Sequence, residues 1–366
     1  MERIDLRSVL PWALPMAVVV VFLGLFTLFD PLIAWVVLGV AIAVAVVRFA
    51  GWFRLVQIAA VLFLVTFFTA MLIRFLPGDP TDTLISFASP ADKQALREDL
   101  GLESPIWVQY GRFAKDFFTG ETNYYQSSGR AVAGQPVWDR LDAALPRSIQ
   151  LILYAQIVAL TVAIPLGIFT AYKAGTLFDK ITNTTAFGFL SLPNFVVGYL
   201  LIFYLGVQRN WFPTQGYTAF GADPYEHFKG MVLPVLSLAV GQIAVYMRLL
   251  RSDMVQTLQE DFITMARSKG LTTSRILLRH ALRPSTFSLL TVAAINLGAL
   301  IGGTVVIEAI FGLGGVGTMI VDAILRRQYV ALQTIVGLIA IAYVLLNVCV
   351  DLLYSVLDPR IRHARA

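Results

Sequence analysis

Runs of about twenty mostly apolar residues recur along the whole chain, and they constrain its fold more than any single motif does. A helix needs about 20 such residues to cross the roughly 30 Å hydrocarbon layer of a bilayer. By that measure helices are expected at 10–29, 31–47, 55–75, 147–172, 181–206, 231–250, 287–310 and 332–357. Inside lipid no water is available to bond the backbone, so each run must satisfy its own N–H and C=O groups as a helix. The expectation is an all-α polytopic membrane protein. Composition agrees: 14% of residues are charged and 57% hydrophobic, against about 25% charged in a soluble domain.

The formal charge of +5 is carried by Lys and Arg clustered beside the spans. That is an orientation signal and not a nucleic-acid surface. If eight spans alternate, Arg48 and Arg54, Lys173 and Lys180, the Lys and Arg from Arg251 to Arg283, and Arg360, Arg362 and Arg365 share one side. That side is expected to be cytoplasmic, with both termini on it. Asp30-Pro31 breaks the first apolar block into a hairpin, and no polar cleavage region follows its first run, so it is expected to stay as a span. Residues 1–50 then form an accessory two-helix hairpin ahead of a domain covering 51–366. Within that domain, 76–146 reads as an extracytoplasmic cap with a helix-like run near 91–100 and aromatics at Trp107, Tyr110, Phe113, Phe117 and Phe118. A second outer loop, 208–229, carries Trp211, Phe212, Tyr217, Phe220 and Tyr225, in part an interfacial belt.

Chemistry is sparse. Without a Gly-x-x-x-x-Gly-Lys-Ser/Thr loop the chain has no usual cradle for ATP phosphates. Gly312-Leu313-Gly314-Gly315-Val316-Gly317 fits a dinucleotide fingerprint, but it follows a membrane helix and no strand, so it reads as a flexible outer loop. No nucleophile elbow or His-Glu-x-x-His is present, and His227, His280 and His363 lie on separate segments without ligand spacing to a carboxylate or thiol. The single cysteine, Cys349, sits in an apolar run and reads as packing. An enzyme, a metal site and a cofactor in this chain are not expected.

Polar side chains at membrane depth carry more, because each is costly unless it faces protein or water. Asn194 beside Pro193, Asn296, Glu308, Asn347 and Asp351 qualify. Pro193 should kink its helix. Asn194 and Asn296 are equally compatible with lining a pathway and with bonding between helices. Glu308, near a span end, is kept as a pathway candidate although snorkelling or capping also fits. Gly298 and Gly302 form a small-residue stripe that permits close helix approach.

The segment 259–284 differs from everything around it: a charged amphipathic stretch between two apolar helices. Met254, Leu258, Phe262 and Met265/Ala266 recur at helical spacing, and Gly270 supplies a left-handed position that ends the first helix. Thr272 or Thr273 can cap a second short helix with Arg275, Arg279 and Arg283 on one face and Leu277, Leu278, Ala281 and Leu282 on another. A lipid-surface anchor would have no use for the turn or for Glu260 and Asp261.

Asp261-Phe262-Ile263-Thr264-Met265-Ala266-Arg267-Ser268-Lys269-Gly270-Leu271, followed by Arg279-His280-Ala281-Leu282-Arg283-Pro284, resembles the coupling segment, the EAA loop, of permease subunits in binding-protein-dependent ABC importers. Met265 and Ser268 stand where that pattern has small residues. Leu76-Pro77-Gly78-Asp79-Pro80, Leu100-Gly101-Leu102 with Pro105 and Gln109-Tyr110, and the ending from Val350-Asp351 to Pro359-Arg360 extend the likeness over roughly 50–362. The chain is most similar to the first permease of the dipeptide/oligopeptide/nickel branch. The resemblance implies a six-helix type I permease core and import of peptides, nickel chelates or other small solutes. It also implies a second permease subunit, two ATP-binding subunits or one fused ATPase that hold the ATP and Mg, an extracytoplasmic substrate-binding protein, and a bacterial cytoplasmic membrane. Glu260, Asp261, Phe262, Ala266, Arg267, Lys269, Gly270, Leu271, Arg275 and Arg279 would couple the ATPase to the pathway. An ion-coupled carrier is the reading from another class, but it would need ionisable groups mid-membrane, and the span centres have almost none.

Overall fold

The computed structural model describes residues 52–75, 93–94, 97–98, 103–128 and 131–357. The expected hairpin in 1–50, and most of the helix-like run at 91–100, lie outside them. The chain divides into two compact units, residues 139–325 and the flanking segments up to 138 and from 326.

In the flanking unit, α1 (Trp52–Phe75) packs on α11 (Tyr329–Leu357). Between 103 and 138 the chain forms α2 (Ile106–Thr119) and then a two-stranded antiparallel hairpin, β1 (Asn123–Ser128) and β2 (Ala131–Pro136), with Asn123 opposite Pro136. Sequence periodicity gave no sign of this hairpin. Gly120, at φ 78°, ends α2. Rings at Phe67 and Trp107 stack at 5.0 Å between α1 and α2, and the Thr66 and Tyr110 hydroxyls bond at 2.8 Å. Gly337 lets α11 approach: a Cβ there would stand 3.2 Å from Phe117.

Residues 139–325 hold the other helices. α3 (Val137–Tyr172) is 36 residues long, about 54 Å at 1.5 Å per residue, so its outer turns project beyond a hydrocarbon layer. The expectation for this span began at 147; the helix starts ten residues earlier and runs through Pro146. After the turn at Gly175 comes α4 (Leu177–Leu190), then α5 (Asn194–Leu201), which continues as a π-helical stretch, Ile202–Gln208. The span expected at 181–206 with a kink at Pro193 is two helices bent by 101°. Pro193 occupies the N-cap of α5, where its missing N–H costs nothing.

The centre of this unit is α6 (Pro224–Thr257). Asp223 caps it by accepting the Tyr225 and Glu226 N–H groups at 2.9 and 3.2 Å. α3 faces α6 with Ala155, Ala159 and Ala163, all buried, and with Gly167, whose absent Cβ leaves room for Leu250. Small residues allow such close approach where lipid supplies no hydrophobic drive. On another side α6 packs on α9 (Leu282–Phe311), and Phe311, Ile307 and Leu300 share a core with Leu233 and Leu238. α10 (Val316–Leu325) folds back on α9. Among the described residues four stretches are long and apolar enough to cross a membrane, 137–172, 224–257, 273–311 and 329–348, and the bent pair makes a fifth if it counts as one span. In α1 the apolar part is 58–71.

Candidate coupling hairpin and membrane polar layer

α6 does not run on into the charged segment. It ends at Thr257, Leu258 to Glu260 form a turn, and α7 (Asp261–Ser268) starts afresh from Glu260 in extended conformation. The single apolar stripe expected through Met254, Leu258, Phe262 and Met265/Ala266 is therefore split. Met254 is buried and Leu258 partly so, but α7 turns Ile263 and Ala266 inward and leaves Phe262 and Met265 44% and 57% exposed. Asp261 stands in the first turn and Arg267 in the last, each complementing the helix dipole.

Gly270 closes α7 at φ +73°. Its N–H bonds Arg267 O at 2.9 Å and the Leu271 N–H bonds Ala266 O at 3.3 Å, the paired closure of a Schellman motif. Leu271 then packs on the core that holds Ala266. No atom lies within 4 Å of where a Gly270 Cβ would stand, so the demand for glycine there is conformational and not steric.

The second arm is not a separate short helix. Thr272 is the N-cap of α8 (Thr273–Arg275), without a bond from its side chain, and α8 leads through a π-helical turn, Ile276–Ala281, straight into α9. The Leu282 N–H reaches back five residues to Leu277 O, and this wider turn carries the helix past Pro284, which has no N–H to give. Ile276 and Ala281 are buried and Leu278 is 58% exposed, while Arg275, Arg279 and Arg283 stay on the surface. Thr257 and Ser285 hydroxyls, 3.2 Å apart, tie the end of α6 to the start of α9. The hairpin is thus braced at its base by a buried core and by one hydrogen bond, and presents Phe262, Met265, Arg267 and Lys269 outward.

Asn194 and Asn296 both abut one turn of α6. The Asn194 amide oxygen lies 3.3 Å from where a Gly241 Cβ would stand, and Asn296 Nδ2 donates to Gln242 Oε1 at 3.0 Å. One turn further along α6 the Tyr246 hydroxyl donates to Gln156 Oε1 at 3.0 Å, and Gln156 Nε2 donates to Ala293 O at 3.3 Å. Together these bonds make a polar layer joining α3, α6 and α9. Sequence reasoning passed over Gln156 and Gln242, although each is a polar residue inside an apolar run and could have been flagged on that ground.

Glu308 belongs elsewhere. Twelve residues from Asn296, about 18 Å along α9, it is fully buried and its Oε2 accepts the Gly317 N–H at 2.7 Å. The glycine-rich loop read as flexible is fastened here. Ser148 Oγ accepts the Val316 N–H at 2.8 Å, and Arg147 Nη1 donates to Gly314 O at 3.0 Å. A Cβ on Gly314 would collide with Arg147, one on Gly315 with Glu308, and one on Gly317 with the Val305 backbone. Gly314, Gly315 and Gly317 are there because the loop is crowded, and Gly312 and Gly314 also hold positive φ, +60° and +66°.

Sequence reasoning also missed an ion pair. Asp179, 5% exposed at its side chain, accepts from Arg251 Nε and Nη2 at 2.5 and 2.6 Å and from the Gly175 N–H at 2.9 Å. It fastens α4 to α6 about two turns before the hairpin.

A family model described as the binding-protein-dependent transport system inner membrane component matches residues 163–363, and the model of its N-terminal region matches 46–151. The chain belongs to this family. Similar curated proteins of the family include a probable peptide ABC transporter permease of Sinorhizobium fredii, 36% identical over 85% of this chain and 98% of that protein. An oligopeptide transport system permease of Bacillus subtilis is 31% identical over 82% of this chain and 94% of its own length. A dipeptide transport system permease of Escherichia coli is 32% identical, with 82% and 95% covered. The chain is a multi-pass transmembrane permease subunit of an ABC importer, in the dipeptide/oligopeptide branch of the family, and it works with other components of that importer.

Proposed function

We propose that this subunit forms half of an import pathway for peptides, opened and closed by ATPases docked on the 259–284 hairpin. The observation that carries this reading is the braced hairpin itself: Phe262 and Met265 exposed beside Arg267 and Lys269, above a base locked to α6 and α9. An exposed apolar pair with a cationic rim is what an ATPase groove can grip, and the buried base passes the movement to the spans. Glu260, Asp261, Gly270, Arg275 and Arg279 complete the coupling surface, with Ala266 and Leu271 packed beneath it. ATP and Mg act on two partner ATPases, or one fused ATPase. A second permease supplies the other half of the pathway, and an extracytoplasmic binding protein delivers the cargo. Peptide cargo is inferred from what the curated relatives are named for.

The membrane is the bacterial cytoplasmic membrane, with the hairpin and both termini inside the cell. The Asp179–Arg251 pair supports that orientation, since it brings the 173–180 loop to the end of α6 that carries the hairpin, so two basic clusters share one side. Asn194 and Asn296 remain the pathway candidates; Glu308, fully buried as the acceptor of the Gly317 N–H, holds the loop instead. Residues 1–50, almost all of which precede the family match that begins at 46, are an accessory segment.

The test is uptake by proteoliposomes of the complete complex, with the binding protein and a radiolabelled dipeptide outside and ATP inside. Accumulation should require lumenal ATP and the binding protein. Accumulation driven by an imposed ion gradient without ATP would contradict the proposal and favour a carrier.

A further inference from the structure

Between α4 and α6 lies an open groove of about 860 Å³. One end is cationic. Lys180 and Arg248 line it, and among the described residues neither is paired with a carboxylate; the one buried acid there, Asp179, is already spent on Arg251. Arg248 instead rests its guanidinium 3.7 Å over the Phe187 ring. That cation–π contact fixes the group and leaves its N–H donors free for an anion.

The walls change character together. Along α4 the lining runs from Lys180 through Asn183 and Thr184 to Phe187 and Leu190; along α6 it runs from Ser252 and Arg251 through Leu249 and Arg248 to Val245. The two helices are antiparallel in chain direction, so both walls begin charged or hydroxylic and end apolar, at Leu190 and Val245, with Arg248 over Phe187 between the two ends. Phe187 and Leu190 are 53% and 38% exposed, so the apolar end is uncovered. A phosphate with an acyl chain has this same order of chemistry, and basic pockets between spans on the cytoplasmic side suit anionic headgroups.

We propose that this groove is a binding site for an anionic phospholipid of the inner leaflet, its phosphate between Lys180 and Arg248 and an acyl chain along Phe187, Leu190 and Val245. Ser252 and Arg251 precede α7 by only two to three turns of α6, so an occupied groove bears on the base of the hairpin. The site rests on the proposed orientation only for its leaflet. Binding in detergent needs neither transport nor orientation, so a failed uptake assay and a failed binding assay remain separate results.

The full-length chain, delipidated in detergent, is titrated by native mass spectrometry with phosphatidylglycerol and with phosphatidylcholine of the same acyl chains. One phosphatidylglycerol should be retained in preference to phosphatidylcholine. The double variant Lys180→Gln/Arg248→Gln should lose about thirty-fold in phosphatidylglycerol affinity, roughly fivefold per charge removed. The charge-keeping Lys180→Arg/Arg248→Lys should stay within about threefold of the parent, which shows that the loss is not misfolding. Lys173→Gln/Arg209→Gln removes the same charge outside the groove and should change nothing. Equal loss in that control, or no loss in the first double variant, would overturn the site. Displacement of the lipid by millimolar inorganic phosphate would assign the cations to a free anion and overturn the lipid.

Discussion

The Glu308 carboxylate accepts the Gly317 backbone N–H at 2.7 Å, and this contact turns the chain from α9 into α10. Val305 and Glu308 together leave no space for a side chain on Gly317. Gly317→Ala should therefore cost about 1–3 kcal/mol by overpacking. Glu308→Ala should cost about as much by leaving the buried N–H without its acceptor. Thermal unfolding of the purified subunit followed by intrinsic fluorescence checks both; midpoints unchanged from the parent would show that the loop is loose after all.

A second clamp lies at the opposite end of this unit. Asp179 is buried and Arg251 is about a quarter exposed, so breaking their pair costs less than the 3–5 kcal/mol of a wholly buried one. Asp179→Ala should destabilise by about 1–3 kcal/mol. Asp179→Asn, which keeps the shape and can still accept from one donor, should cost less than Asp179→Ala. Equal unfolding midpoints for the alanine variant and the parent would mean the pair contributes nothing.

How much of this was legible in the sequence follows from which signals are local. The spans at 55–75, 147–172, 231–250, 287–310 and 332–357 each fall within a helix, because a long apolar run in lipid has no other outcome. Gly270 was legible too, since a left-handed helix end has one preferred residue. Breaks were harder to read. Leu258 fits a continuous helical stripe, so the turn at 258–260 left no mark, and the spacing alone did not separate Phe262 and Met265, which are exposed, from Ile263 and Ala266, which turn inward. The arm after Gly270 looked bounded by Pro284, but the π-helical turn at Ile276–Ala281 absorbs it. For the glycine-rich loop the sequence shows permissiveness alone; crowding by Arg147, Val305 and Glu308 exists only once distant segments meet. Gln156, Gln242 and Tyr246 likewise become a layer only through the packing of α3 and α9 on α6.

That layer gives a third expectation. Asn296 and Gln242 bond at 3.0 Å between two spans. Such bonds average about 0.6 kcal/mol inside membranes. Asn296→Leu and Gln242→Leu should each lower stability by about 0.5–1.5 kcal/mol, and a double-mutant cycle should return a coupling near 0.6 kcal/mol. If the layer lies on the pathway, Asn296→Leu should also slow uptake severalfold while the ATPases remain bound. Loss of the ATPases from the purified complex would assign Asn296 to helix packing.

The central claim is that the hairpin hinged at Gly270 carries movement between the ATPases and the spans, and substrate-stimulated ATP hydrolysis by the reconstituted complex measures it most directly. At φ +73° with open space around it, position 270 tolerates Asn, which enters the left-handed region readily, and opposes Val, which is β-branched. The account predicts that Gly270→Asn keeps most of the stimulation by loaded binding protein. It predicts that Gly270→Val abolishes that stimulation while the subunit still inserts. Full stimulation in an assembled Gly270→Val complex would contradict the account.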